Sequence, residues 1–383
     1  MIQQTSRTTI ETIQRKGIIP STIFERLQGE HKFLLETSSH SLSKGRFSIM
    51  GMNPRKTYVG SQTTLKEIDH RKKQSYTYEG DLVLLLKQMM PRINNDTMYP
   101  FTGGAVGYIR FNREEHIIPA AQFHVYDTVF LYDHTTEQLH AIHTNIDPEI
   151  QTVDLKEQLQ QLISETDIQA TSIDIHLPEN QQTIQEEQFN ELSKKLEKYQ
   201  IEQLVVAKTV KYKLSTQPFD YYKAFQTKYA SAYQYFIEFG AKQLIGSAHD
   251  RIIQVHQQQI TTAENTCESI SVKGSIQRNG HHYTSQLKPE YHAIDALAAT
   301  IPTEKVIGYP KQHALSFIPN NPLDTRLLFG GAVGYIGFNG QIDFTHTNDA
   351  ILLEEQHVYL SEAYKVYPHR HFETFTKDGE SQC

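Results

Sequence analysis

Short apolar runs separated by turn residues dominate the first half of the chain. "HKFLLET" (31–37), "RFSIMG" (46–51) and "AVGYIRF" (105–111) are bounded by Gly, Asn and Pro and predict strands. "AAQFHVYDTVFLYDH" (120–134) alternates and predicts one more. In "DLKEQLQQLISET" (154–166), Leu155, Leu159 and Leu162 recur at helical spacing and predict a helix. The polar stretch "SIDIHLPENQQTIQEEQ" (172–188) marks a junction, after which Phe189, Leu192, Leu196 and Tyr199 form one face of a charged amphipathic helix. "IEQLVVAKTVKYKL" (201–214) reads as a buried strand and "FDYYKAFQTKYA" (219–230) as a helix. Residues 233–262 read as three antiparallel strands in a meander. Antiparallel runs interleaved with helices give an α+β fold. The expected organisation is a first half over 1–172, a polar junction over 173–188 and a second half over 189–383.

One phrase occurs twice: "FTGGAVGYIRFN" (101–112) returns as "FGGAVGYIGFN" (329–339). Gly-Gly ahead of an alternating strand allows positive φ and close approach of another backbone or of a ligand. Two copies predict two similar sheets meeting at a shared centre.

Composition narrows the function classes. At 383 residues, the length suits two or three domains, or one large domain built from two halves. With 37 basic and 44 acidic residues the net charge is −7, which argues against a nucleic-acid partner. An anionic small substrate still fits, since a site needs only a few local cations. The N-terminal "MIQQTSRTTIETIQRKG" has no signal-like apolar run, and "DLVLLLKQMM" (81–90) is too short to span a bilayer. Cys267 and Cys383 cannot make a disulfide framework. The expectation is a cytoplasmic protein with no membrane partner. No Walker loop or full GxGxxG is present to support a nucleotide cofactor.

The phrases together resemble a known family. "LQGEHKFLLETSSHSLSKGRFSIMGMNP" (27–54) followed by "PFTGGAVGYIRFN" looks like the N-terminal half of anthranilate synthase component I, in which GGAVGY occurs once in each half. "IEQLVVAK" (201–208), "LIGSAHDRII" (244–253), "VKGSIQRN" (272–279) and "AIDALAATIPTEKVIGYPKQHAL" (293–315) continue the likeness. The resemblance implies two orthogonally packed antiparallel sheets with helices outside. It also implies a Mg2+-dependent lyase that makes anthranilate and pyruvate from chorismate and ammonia, the ammonia coming from a glutamine amidotransferase subunit. 4-Amino-4-deoxychorismate synthase component I is the alternative within the same chemistry. A catalytically impaired paralogue acting as a binding scaffold is the alternative outside it.

Site residues follow from the resemblance position by position. Gln203 stands where water-using relatives carry a Lys base. Ammonia brings its own lone pair and needs no base there, so Gln203 favours amination. Gly274 and Ser275 match a substrate-contacting Gly-Thr. Counting ungapped from Phe329, which replaces a Tyr, the family's carboxylate-clamping Arg falls on Asp349. Its GAG loop falls on Ala363, Tyr364 and Lys365, and its second metal-binding Glu falls near Asp378. Thr37, with Ala232, Tyr233 and Gln234, matches the tryptophan feedback pocket, whose prolines become Ala230 and Ala232; feedback is expected to be weak. The family's acidic metal motif and catalytic His have no match. "SIQRNGHHYTSQLKPEYHAIDAL" runs almost directly into the next matched block, so the second half is shortened after about 279. His281, His282 and His292 lie near that join outside any matching motif, and His369 and His371 read as a solvated tail.

Overall fold

The computed structural model describes residues 8–37, 46–93, 97–111, 117–146, 153–164, 184–228 and 231–369. Over these the chain forms two eleven-stranded sheets with antiparallel pairing throughout. The first sheet runs, edge to edge, Thr8–Gln14, Gln138–Thr144, Thr128–Asp133, Phe47–Gly51, Phe33–Thr37, Tyr233–Phe239, Lys242–Ala248, Asp349–Glu354, His357–Val366, Gln203–Lys213 and Gly308–Tyr309. The second runs Gln277–Asn279, His282–Gln286, Gln259–Thr262, Arg251–His256, Ile342–His346, Ala332–Gly337, Gly104–Ile109, Ala121–Tyr126, Lys56–Gly60, Thr64–Asp69 and Gln74–Glu79.

Strand alternation sorts the side chains into layers. Phe33, Ile237 and Leu352 of the first sheet meet Val106, Tyr108 and Tyr335 of the second in a shared core. On the outer face of the first sheet, Leu34, Met50 and Phe236 pack against helices Pro20–Arg26, Leu155–Ser164 and Pro218–Lys228. On the outer face of the second, Ala105, Phe123 and Ile336 pack against helices Leu82–Met89 and Ala293–Thr300. A further core joins the helix Glu186–Lys198 and the segment around Val306 and Ile307 to the strand Gln203–Lys213. The α+β reading, with sheets inside and helices outside, is what the chain forms. No helix among the described residues is long and apolar enough to cross a membrane.

Five local readings are corrected. The repeated phrases do not lie in two sheets: Gly104–Ile109 and Ala332–Gly337 are neighbours in the second sheet, with Gly107 opposite Gly334. A Cβ at Gly107 would sit 1.9 Å from the Gln122 carbonyl oxygen, and one at Gly334 2.0 Å from that of Asp343. The phrase is duplicated because two equivalent strands pair about their own midpoint, each pressed against an outer neighbour. The run 120–134 is two strands, Ala121–Tyr126 and Thr128–Asp133, in different sheets; the chain crosses between sheets at Asp127. Residues 233–262 make two hairpins, one in each sheet, rather than a meander. The strand at Gln203–Lys213 is buried through Leu204–Ala207 and more open beyond, and Tyr199 ends its helix 49% exposed instead of continuing the buried face. Most of the polar junction, like Ala230, His371, Asp378 and Cys383, lies outside the described residues.

Candidate active site

A cleft of about 580 Å³ opens between three segments. The loop after the Gln259–Thr262 strand supplies Ala263, Glu264, Asn265 and Thr266; the outer hairpin supplies Arg278, His281 and Tyr283; Ala299, Glu304 and Lys311 close it. The volume falls within the range of small-molecule sites.

Lys311 is placed by the "IGYPK" phrase. Gly308 and Tyr309 add a two-residue strand to the edge of the first sheet, with Tyr309 opposite Gln203 and Gly308 opposite Leu204. Gly308 has φ +120°, and a Cβ there would lie 2.1 Å from the Gln203 carbonyl oxygen, so the approach requires glycine. The Tyr309–Pro310 peptide is cis, and Lys311 then opens the helix Lys311–Phe317. Arg326 fastens the same region from behind: it pairs with Asp324 at 2.5 Å and donates to the carbonyls of Val205 at 2.7 Å and Val306 at 3.0 Å. Burial lowers the pKa of the Lys311 ammonium, against the opposing pull of Glu264 and Glu304. Among the described residues, neither Lys311 nor Arg278 makes an ion pair. Arg278 donates through Nε to the Gly280 carbonyl at 3.3 Å, and its guanidinium lies 5.8 Å from the Tyr283 ring centre.

The residues expected from sequence fall in several places. Gln203 starts its strand beside the turn that presents Lys311. Ser275 does not line the cleft. Its hydroxyl donates to the Val272 carbonyl at 2.7 Å and accepts from the Gln286 amide at 3.0 Å, stabilising a turn in which Gly274 has φ +78°. Thr266 brings an aliphatic hydroxyl to the cleft. It was missed because it lies upstream of the phrase that looked like Gly-Thr, a few residues past the end of the Gln259–Thr262 strand. His281 lines the cleft without any motif to mark it. His292 instead caps the helix Ala293–Thr300: its Nδ1 accepts from the Ile294 amide at 2.9 Å, while its own amide donates to Asp295 at 2.8 Å. His282 is exposed on the hairpin, and His369 pairs with Glu197 at 3.5 Å.

Ala363, Tyr364 and Lys365 lie in the strand His357–Val366, opposite Ala207, Val206 and Val205. This is a pleated strand and not a loop, so successive amides point to opposite sides and do not converge on one carboxylate. Phe329 is buried in the same core as Ala363 and Tyr364, with the Arg326 guanidinium 5.6 Å from its ring centre. Asp349 opens the strand Asp349–Glu354 opposite Ser247 and does not line the cleft. Burial raises its pKa, with His249 and Lys305 opposing.

The four feedback-pocket positions do come together. Tyr233 pairs with Thr37, and Gln234 with Glu36, across adjacent strands, next to buried Ala232. Glu36 went unremarked in the sequence. It is buried, accepts from the Tyr222 hydroxyl and the Gln226 side-chain amide, and burial pushes its pKa up to about 7.

Mg2+ calls for carboxylate oxygens, and the cleft offers two Glu side chains. Glu264 already accepts the Glu304 amide at 3.0 Å and the Lys305 amide at 3.3 Å, one on each oxygen, and Glu304 is exposed. Among the described residues no group of three or more His, Cys, Asp or Glu could hold a metal ion. These residues do not fit Mg2+.

Comparison with known proteins decides the family. The chain matches the chorismate binding enzyme family over residues 43–282 and again over 270–361. It belongs to that family. The two matched segments overlap in the stretch that leads into the outer hairpin. Anthranilate synthase component 1 of Lactococcus lactis subsp. lactis (strain IL1403) is 25% identical over 426 residues, covering 92% of each chain. That span is longer than the 383 residues present here, so part of that relative has no counterpart. Aminodeoxychorismate synthase component 1 of Bacillus subtilis (strain 168) is 23% identical, over 84% of each. Among solved structures, anthranilate synthase component I from Streptococcus pneumoniae TIGR4 superposes with a TM-score of 0.72 over 96% of both chains, at 23% identity. It shares the fold.

Proposed function

We propose that the chain is a chorismate-utilising protein of the anthranilate synthase component I type, with the lyase step weakened. The observation that carries this reading is the cleft where Lys311 and Arg278 face Thr266, beside the strand that begins at Gln203. Chorismate is a dianion, and Lys311 and Arg278 offer it two cations in a small cleft that Glu264 and Glu304 also line. The reaction proposed is chorismate plus ammonia giving anthranilate, pyruvate and water. Ammonia attacks with its own lone pair, the ring hydroxyl leaves as water, and loss of pyruvate makes the ring aromatic. The neutral amide of Gln203 is compatible with this, since no residue there has to remove a proton from the nucleophile. Ammonia would come from a glutamine amidotransferase subunit, as the family resemblance implies; the relatives' names, each a component 1, support a second component. Mg2+ remains a family expectation that the cleft's own donors do not support, and no step is assigned to it.

The missing segment favours a slow enzyme. Loss of a general acid/base alone costs typically ~10²–10⁴ in rate. Chorismate and ammonium chloride incubated with the purified chain should release anthranilate and pyruvate in equal amounts, at a rate reduced by about that factor. Chromatographic separation of the products tests it. 4-Amino-4-deoxychorismate or isochorismate as the main product would overturn the reading, and turnover at the level of an ordinary full-length enzyme would overturn the weakened step.

A further inference from the structure

We propose that the cleft holds its cyclic dicarboxylate by direct ion pairing, with Lys311 and Arg278 each taking a carboxylate and no divalent cation between protein and ligand. This rests on the chorismate reading above and concerns how the same site recognises its ligand. Three features of the cleft lead to it.

The first is the state of the carboxylates. Glu264 is committed to the first turn of the helix Glu304–Ile307, where both its oxygens accept backbone amides. Turning it toward a cation would give up both of these amide bonds at the start of the turn. The second is the state of the cations. A half-buried ammonium without an ion pair is an unfavourable arrangement on its own, and an incoming carboxylate would relieve it. Burial pulls the Lys311 pKa down by more than Glu264 and Glu304 pull it up, so those two carboxylates do not fully offset the cost of burying the ammonium. The third is how the cations are held. The Gly308–Pro310 turn fixes the backbone at Lys311, and the exposed Arg278 side chain rests on its own hairpin against the Gly280 carbonyl and the Tyr283 ring. A guanidinium presents a planar fork to a carboxylate, and an ammonium presents a point charge, so the two together can distinguish the ligand's two ends.

Calorimetric titration of chorismate into the full chain, at low salt, tests this in two buffers, one with EDTA and one with excess Mg2+. The expected result is the same affinity in both, within about twofold. Lys311→Gln and Arg278→Gln should each weaken binding roughly tenfold or more, and Lys311→Arg should retain most of it. Neither side chain makes an ion pair within the described residues, so circular dichroism should show all three variants folded. Binding seen only with Mg2+ would overturn the inference and leave the chorismate reading standing. Unchanged affinity in both Gln variants would do the same. Absence of binding in either buffer would overturn both.

Discussion

Glu36 shows how a single buried carboxyl can set a pH dependence. Its pKa is raised from 4.5 to about 7 in the folded chain, chiefly by burial and against the Tyr222 hydrogen bond. A raised folded pKa means its contribution to stability is fully present below the unfolded value and is lost as pH climbs towards 7. The difference amounts to something on the order of 3 kcal/mol. Thermal unfolding of the wild type should therefore lose stability relative to Glu36→Gln as pH rises from 4.5 to 7; parallel profiles would contradict this. The phrase "FLLET" was legible as a strand. The burial of Glu36 was not, because it depends on Tyr222 and Gln226 arriving from a helix nearly two hundred residues away. Asp349 teaches the opposite lesson. Counting along the chain aligned it with a carboxylate clamp, whereas the cleft is lined by other residues. Asp349→Arg should leave chorismate affinity unchanged if the cleft is the site; tighter binding would place a carboxylate at the start of the Asp349–Glu354 strand instead.

Strands were readable one at a time, but the sheet each joins was not. Alternation marks a strand and its two faces, yet carries no record of which neighbour it pairs with. The run 120–134 alternates without interruption and still crosses between sheets at Asp127. The duplicated phrase likewise signalled a special approach of backbones, and only the pairing of Gly107 with Gly334 shows where. Gly107→Ala and Gly334→Ala should each destabilise by at least about 2–3 kcal/mol, because the added methyl meets a backbone carbonyl rather than a side chain that can move. Denaturant midpoints measure this; a change within a few tenths of a kcal/mol would mean the strands slide apart freely. A second device spans both sheets. The Thr57 hydroxyl lies 2.7 Å from both His70 Nε2 and His124 Nδ1, and the His31 ring centre lies 4.7 Å from that of His124. Burial, then the charges of His31 and His70, push the His124 pKa well below 6.5; burial lowers His31 and His70 too, against Glu30 and Asp69. A depressed folded pKa in a His means stability is lost as pH falls below 6.5. Acid unfolding should begin at lower pH in His124→Phe than in the wild type, and an unchanged acid limb would contradict the cluster's role.

At the scale of the whole molecule, the family was legible because its phrases survive across most of the chain; the cleft was not, because its lining comes from three segments that only folding brings together. Motif matching had to place Gly-Thr on Gly274 and Ser275, the nearest phrase with the right pattern, while folding brings Asn265 and Thr266 to face Lys311. The outer hairpin that carries Arg278 and His281 stands at the join and forms the cleft's open side. Location is therefore decisive: the ligand belongs between the Thr266 loop, that hairpin and Lys311. A crystal structure of the full chain with chorismate at saturating concentration tests this most directly. The account predicts ligand density in contact with Thr266, Arg278 and Lys311; density held along Ala363–Lys365, with the cleft at Lys311 empty of it, would contradict it.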